Sequence, residues 1–240
     1  MRVSRSFFRS IVSLLCTAML ASMAAAQDAS PAQNNKTATE QPKKINERPA
    51  SPAASKPEPF DAASVEKMAG QCVRLETESG VIEIEMLAES APEAARNFLN
   101  LAATAAFDTT TFSRVVKGFV VQGGNLATRE TLTPELAERS RRTIPDEPNQ
   151  VKHVRGVVSM ARPEKADSAT THFFILVGDA PHLDGKFSAF GRVLSGMDVV
   201  DAINRAPVDG ETPEKPVRLS RAVVHPCQVG ATGATTAAHP

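Results

Sequence analysis

Arg114, Phe119 and Gln122 open the functional reading of this chain, because they fall on two neighbouring β-prone segments within the run Phe112–Gly124. Arginine suits electrostatic work: it stays charged and presents a planar fork of donors. Three further runs follow in order, Gly156–Arg162, Ser168–Ile175 and Leu183–Val193. By period alone, most of their apolar residues belong to a core. Chemistries that need other residue sets are excluded. The stretch GFVVQGGN, Gly118 to Asn125, is glycine-rich but lacks the Lys-Ser/Thr of a phosphate loop and opens no periodic helix. The histidines at 153, 172, 182, 225 and 239 show neither HExxH spacing nor a cysteine pattern, so no metal is expected. Ser159 lies in VVSMAR and not in a G-x-S-x-G elbow.

The elements that must position these residues occupy only part of the 240 residues. Arg2, Arg5 and Arg9 precede an apolar run from Ile11 to Met23, which ends in Ala24-Ala25-Ala26. This is the pattern of a secretory signal peptide at 1–26. The run is shorter than the roughly 20 residues a spanning helix needs. Cys16 follows Leu15, which is not small, and lies too early for a lipid anchor. The 27 basic and 27 acidic residues balance; cleavage near Ala26 removes three arginines and no acid, leaving −3. That balance argues against nucleic acid as a partner. Residues 27–66 read as a disordered Pro/Ala-rich linker, with prolines at 31, 42, 49, 52, 57 and 59. A Gly/Ala/Thr-rich tail at 230–240 reads the same way. The folded domain is expected at 67–229.

Within that domain the signals are mostly short strands. Val73, Leu75 and Thr77 alternate with polar residues, and after Ser79-Gly80 so do Ile82, Ile84 and Met86. This predicts a hairpin with one wet face. Pro92 and Glu93 open a helix whose apolar face carries Ala95, Phe98, Leu99 and Ala102. Further strands are expected at Thr111–Val116, Phe119–Gln122, Gly156–Ala161, His172–Val177, Ser188–Val193 and Val217–Val224, with a helix around Met197–Asn204. The pattern fits a β-barrel or sandwich capped by helices.

The four runs, in this order, resemble the cyclophilin family of peptidyl-prolyl cis-trans isomerases, over about Val73 to Val229. The Gly-Val-Ile-Glu-Ile-Glu hairpin and the Ala-Pro…Asn-Phe helix belong to the same resemblance. It implies an eight-stranded antiparallel β-barrel capped by two α-helices, with the active groove on its outside and no cofactor. On the matching positions, Arg114, Phe119 and Gln122 are implied as catalytic. Val120, Ala161, Arg162, His172, Phe174, His182, Leu183 and Phe187 are implied as substrate-binding, with Phe119, Val120, Phe174 and Leu183 forming an apolar proline pocket.

The resemblance also implies partners and departures. The substrates are proline-containing unfolded or partly folded polypeptides, handled by a monomer in the periplasm; a proline-segment binding module with little turnover is the alternative. His172 stands where Gln commonly precedes the Phe-Phe pair, and Phe187 where many members have His. His182 replaces the Trp of cyclosporin-sensitive members, so cyclosporin is expected to bind weakly. The first and last strands of the family are antiparallel neighbours, which brings Cys72 and Cys227 into range of a disulfide that an oxidising compartment permits.

Overall fold

The computed structural model describes residues 56–227. The expected signal peptide, the linker up to residue 55 and the tail at 230–240 lie outside the described residues. The expected boundary at 66/67 falls inside a helix, α1 (Val65–Ala69), whose N-cap Ser64 accepts from the Lys67 amide. Folded structure starts still earlier. Phe60 is buried, its amide donates to Asn100 Oδ1 at 2.7 Å, and Arg96 donates to the carbonyls of Phe60 and Ala63. One buried phenylalanine is worth about 1.5–3 kcal/mol, and here it anchors a segment whose prolines otherwise read as linker.

Strands β1 (Gln71–Thr77) and β2 (Gly80–Met86) form the expected hairpin. Its register sets Val73 opposite Ile84 and Leu75 opposite Ile82, all four fully buried, with Arg74 and Glu83 paired at 3.2 Å on the other face. The helix opened by Pro92 is α2 (Pro92–Ala103). Then come β3 (Arg114–Val116) and β4 (Val120–Gly123), a 3-10 turn, and α3 (Pro134–Arg139). The chain continues through β5 (Val157–Met160), β6 (Phe173–Leu176), a second 3-10 turn over Pro181–Leu183, β7 (Ala189–Ser195) and α4 (Met197–Arg205). A small hairpin, β8 (Val208–Asp209) and β9 (Thr212–Pro213), precedes the last strand, β10 (Leu219–Pro226).

Eight strands make one antiparallel sheet in the order β10-β1-β2-β7-β5-β6-β4-β3. The sheet curls until its edges approach. Thr111 bridges Arg218, and the Phe112 and Leu219 amides donate across the gap to the carbonyls of Val217 and Thr110. Inside the curl, Phe98 packs edge-on against Phe173 and at a tilt against Phe107 and Phe190, with centroid distances of 5.1, 5.2 and 4.9 Å. Helix α2 contributes Phe98 and Leu99 to this core; α4 contributes Val200 and Ile203.

A second, smaller apolar cluster lies on the outer face: Val120, Val157, Phe174, Leu176, Ala180, Leu183 and Ala189. It explains why β5 and β6 are buried on both faces and lack alternation. Helices α1 and α3 were not expected. Each is short, and α3 buries no side chain, so neither leaves an apolar period to read.

Candidate active site

Strand register builds the site. Arg114 pairs with Gln122 across β3 and β4, Gln122 with Phe174 across β4 and β6, and Phe174 with Ser159 across β6 and β5. Directly opposed residues point to the same face. Arg114, Gln122 and Phe174 therefore stand abreast on the outside of the curl. Above them opens a groove of about 220 Å³ lined by Arg114, Phe119, Val120, Gln122, Ala161, Arg162, Phe174, Leu183 and Phe187. Phe187 meets Phe174 edge-on at 5.9 Å and closes one wall.

Two expected residues stand elsewhere. His172 faces an adjoining hollow of about 450 Å³, shared with Arg114, Gln122, Ala161, Arg162, Pro163, Ser168 and Thr170. Burial pushes its pKa below the ordinary histidine value. His182 is exposed and stacks on Phe119 from outside the groove, with ring centroids 5.5 Å apart. It braces a wall without lining it.

The polar groups are held individually. Arg114 Nη1 donates to Gln122 Oε1 at 3.2 Å, and its Nε donates to Glu211 Oε2 at 2.7 Å. Arg162 pairs with Asp146 at 3.0 Å and lies 5.3 Å above the Phe187 ring. Its charge is spent within the protein, and its guanidinium supports the aromatic wall. The paired glycines of the GFVVQGGN run serve packing. Gly124 has φ +82°, and a Cβ there would lie 2.2 Å from the Thr171 carbonyl oxygen.

Beneath the groove lies a network that the sequence did not announce. His153 is fully buried, with Nδ1 3.2 Å from Asp184 Oδ1 and Nε2 3.0 Å from Ser159 Oγ. The acceptor carboxylate assigns the proton to Nδ1, which leaves Nε2 to accept from the Ser159 hydroxyl. The order Ser-His-Asp is that of a hydrolase triad, but Ser159 has no exposure to substrate. The network instead ties the Leu183 turn to β5. Desolvation lowers the His153 pKa, opposed in part by Asp184. Among the described residues, no group of three or more His, Cys, Asp or Glu side chains could hold a metal.

Beside Arg114, an apolar slot with one amide and few other polar groups suits a proline side chain, which lacks an N–H to satisfy. The fold is thus a curled eight-stranded antiparallel sheet of the barrel type that carries this groove on its outer face. The profile described as "Cyclophilin type peptidyl-prolyl cis-trans isomerase/CLD" matches residues 72–224, and the chain belongs to that family. It is 34% identical over 170 residues to a peptidyl-prolyl cis-trans isomerase of Acinetobacter baylyi, covering 65% of this chain and 86% of that one. It is 35% identical over 165 residues to human peptidyl-prolyl cis-trans isomerase-like 3, covering 64% and 95%. A Cryptosporidium parvum cyclophilin-type isomerase superposes with a TM-score of 0.58 at 27% identity, over 66% of this chain and 99% of that one. That protein was also crystallised in the presence of the dipeptide Ala-Pro, a structure that matches with a TM-score of 0.57.

Proposed function

We propose that this isomerase is exported and accelerates folding of envelope polypeptides by rotating X-Pro bonds, with Arg114 as the electrostatic group. The observation that carries the assignment is the Arg114 fork standing beside the slot of Phe119, Val120, Phe174 and Leu183. Rotation about the prolyl bond meets a barrier of about 18–20 kcal/mol, because resonance stiffens the amide. No bond is made or broken. As the bond twists, conjugation is lost and the proline nitrogen regains a lone pair. A fixed guanidinium donates to that lone pair only in the twisted state, so it stabilises the transition state and not the ground state.

The remaining residues hold the substrate. The slot takes the pyrrolidine ring, and the Gln122 amide, opposite Arg114, binds the flanking backbone. Cyclosporin is expected to bind weakly at the same groove. Export is supported by the arginine-led apolar run ending at Ala26 and by the Cys72–Cys227 disulfide, a bond that persists in oxidising compartments.

Two measurements test the proposal. The mature chain should be recovered from the periplasmic fraction, cut near Ala26. The purified protein should speed cis-to-trans exchange of a model X-Pro peptide, a reaction that alone takes tens to hundreds of seconds. Binding of the peptide without faster exchange would select the binding-module alternative; retention in the cytoplasm at full length would overturn export.

A further inference from the structure

The catalytic arginine of this groove is held at two points, and only one belongs to the sheet that carries it. Gln122 takes Nη1 from the neighbouring strand, whereas Glu211 takes Nε from the β8–β9 hairpin, 97 residues away. Gly210, at φ +60°, makes the turn before Glu211. The Val115 amide donates to the Glu211 carbonyl at 2.8 Å, which pins the hairpin tip against β3. Glu211 is not among the groove-lining residues. It meets the guanidinium at Nε, from the β8–β9 side and outside the groove lining. Among the described residues, Nη2 has no protein acceptor; one of its hydrogens lies on the Nε edge that Glu211 occupies, and the other lies on the terminal Nη1/Nη2 edge, which points away from Glu211.

We propose that Glu211 is a positioning residue for Arg114: its carboxylate holds Nε so that the free edge of the guanidinium faces the proline nitrogen. The inference rests on the reading of Arg114 given above. A single hydrogen bond to Gln122 leaves the guanidinium plane free to swing about that contact. A second acceptor from a different element removes the swing. The stability at stake is small, because both partners are substantially exposed, at 40% and 55%, and exposed ion pairs contribute little to folding. The benefit lies in orientation, where a displacement of about 1 Å costs up to about a hundredfold in rate.

The test compares wild type, Glu211→Ala and Glu211→Gln in one prolyl-isomerisation assay, with melting temperature and the Arg114 Nε–Hε NMR resonance recorded for each. Removing the acceptor should lower kcat about five- to tenfold and leave KM within about twofold. Melting temperature should stay within about 2 °C of wild type. The Arg114 resonance should be resolved and slow to exchange in wild type, and lost to the exchanging surface-arginine envelope in Glu211→Ala. Glu211→Gln, which restores an acceptor without charge, should recover at least half of the lost turnover and the resonance. Wild-type turnover in Glu211→Ala, an unchanged resonance, a loss confined to KM, or no recovery with Gln would each overturn the proposal. A wild-type chain that fails to isomerise the peptide would instead overturn the isomerase mechanism assigned to Arg114.

Discussion

Gln122 Oε1 accepts a hydrogen bond from Arg114 Nη1 at 3.2 Å because the β3–β4 register sets the two residues directly opposite each other. One pair thus joins the group proposed to stabilise the twisted amide to the group proposed to hold the flanking chain. A shift of one residue in either strand would send one of them to the inner face.

Arg114→Ala should lower kcat/KM at least tenfold, about 1.4 kcal/mol of barrier, with unfolding still cooperative. Arg114→Lys keeps the charge but loses the planar fork, and should recover only part of the rate. Both are read by steady-state isomerisation of an X-Pro peptide. Wild-type rates in Arg114→Ala would remove the arginine from the mechanism.

Cyclosporin inhibition should tighten in His182→Trp. His182 is exposed and stacks on Phe119 at the edge of the groove. An indole there would extend that wall with a broad apolar face and an N–H donor. Titrating inhibition of the two proteins side by side checks this; equal affinities would show that the position is indifferent here.

The Cys72–Cys227 disulfide joins the start of β1 to the residue just past β10, with Cα atoms 4.8 Å apart and a sequence separation of 155. Closing so long a loop stabilises the fold by roughly 3–5 kcal/mol in the chain-entropy model. The double variant Cys72→Ala/Cys227→Ala should therefore melt well below wild type. Intact mass after alkylation without reductant should show no adduct, and two after reduction and unfolding. Two adducts on the unreduced protein would refute the pairing.

Stability should fall as pH drops below the ordinary histidine value. His153 and His172 both have pKa values held below 6.5, in each case chiefly by burial. The unfolded chain therefore binds more protons than the folded one as pH falls through 6.5 towards the depressed values, which favours unfolding. Above 6.5 the contribution is complete. Glu147 is shifted upward by burial and acts in the opposite sense, so the histidine share is isolated by comparison with a variant. Denaturant melts between pH 7.5 and about 5 should show a shallower decline in His153→Gln than in wild type; parallel slopes would contradict the assignment.

Much of the architecture was legible from local pattern. The β1–β2 hairpin, α2 and α4 each carry a period of 2 or 3.6, because each buries one face and wets the other. The groove residues were legible too, but through the resemblance of four ordered runs and not through periodicity. In β5 and β6 both faces are covered, so Phe173 in the core and Phe174 in the groove look alike in sequence. Short helices α1 and α3 escaped notice because they bury little, and Phe60 escaped among prolines.

The sequence by itself determined the eight strands of the main sheet, though not the β8–β9 hairpin, together with the family and the identity of most side chains around the slot, since these depend on residue type and near-neighbour order. Only the tertiary structure decided which partners hold them. Glu211 reaches Arg114, and Asp184 and Ser159 reach His153, through loops and strands far apart in the chain. A hydrogen bond between distant residues leaves no period and no local motif; it exists only once the sheet has curled and brought its acceptor within 3 Å or so of its donor.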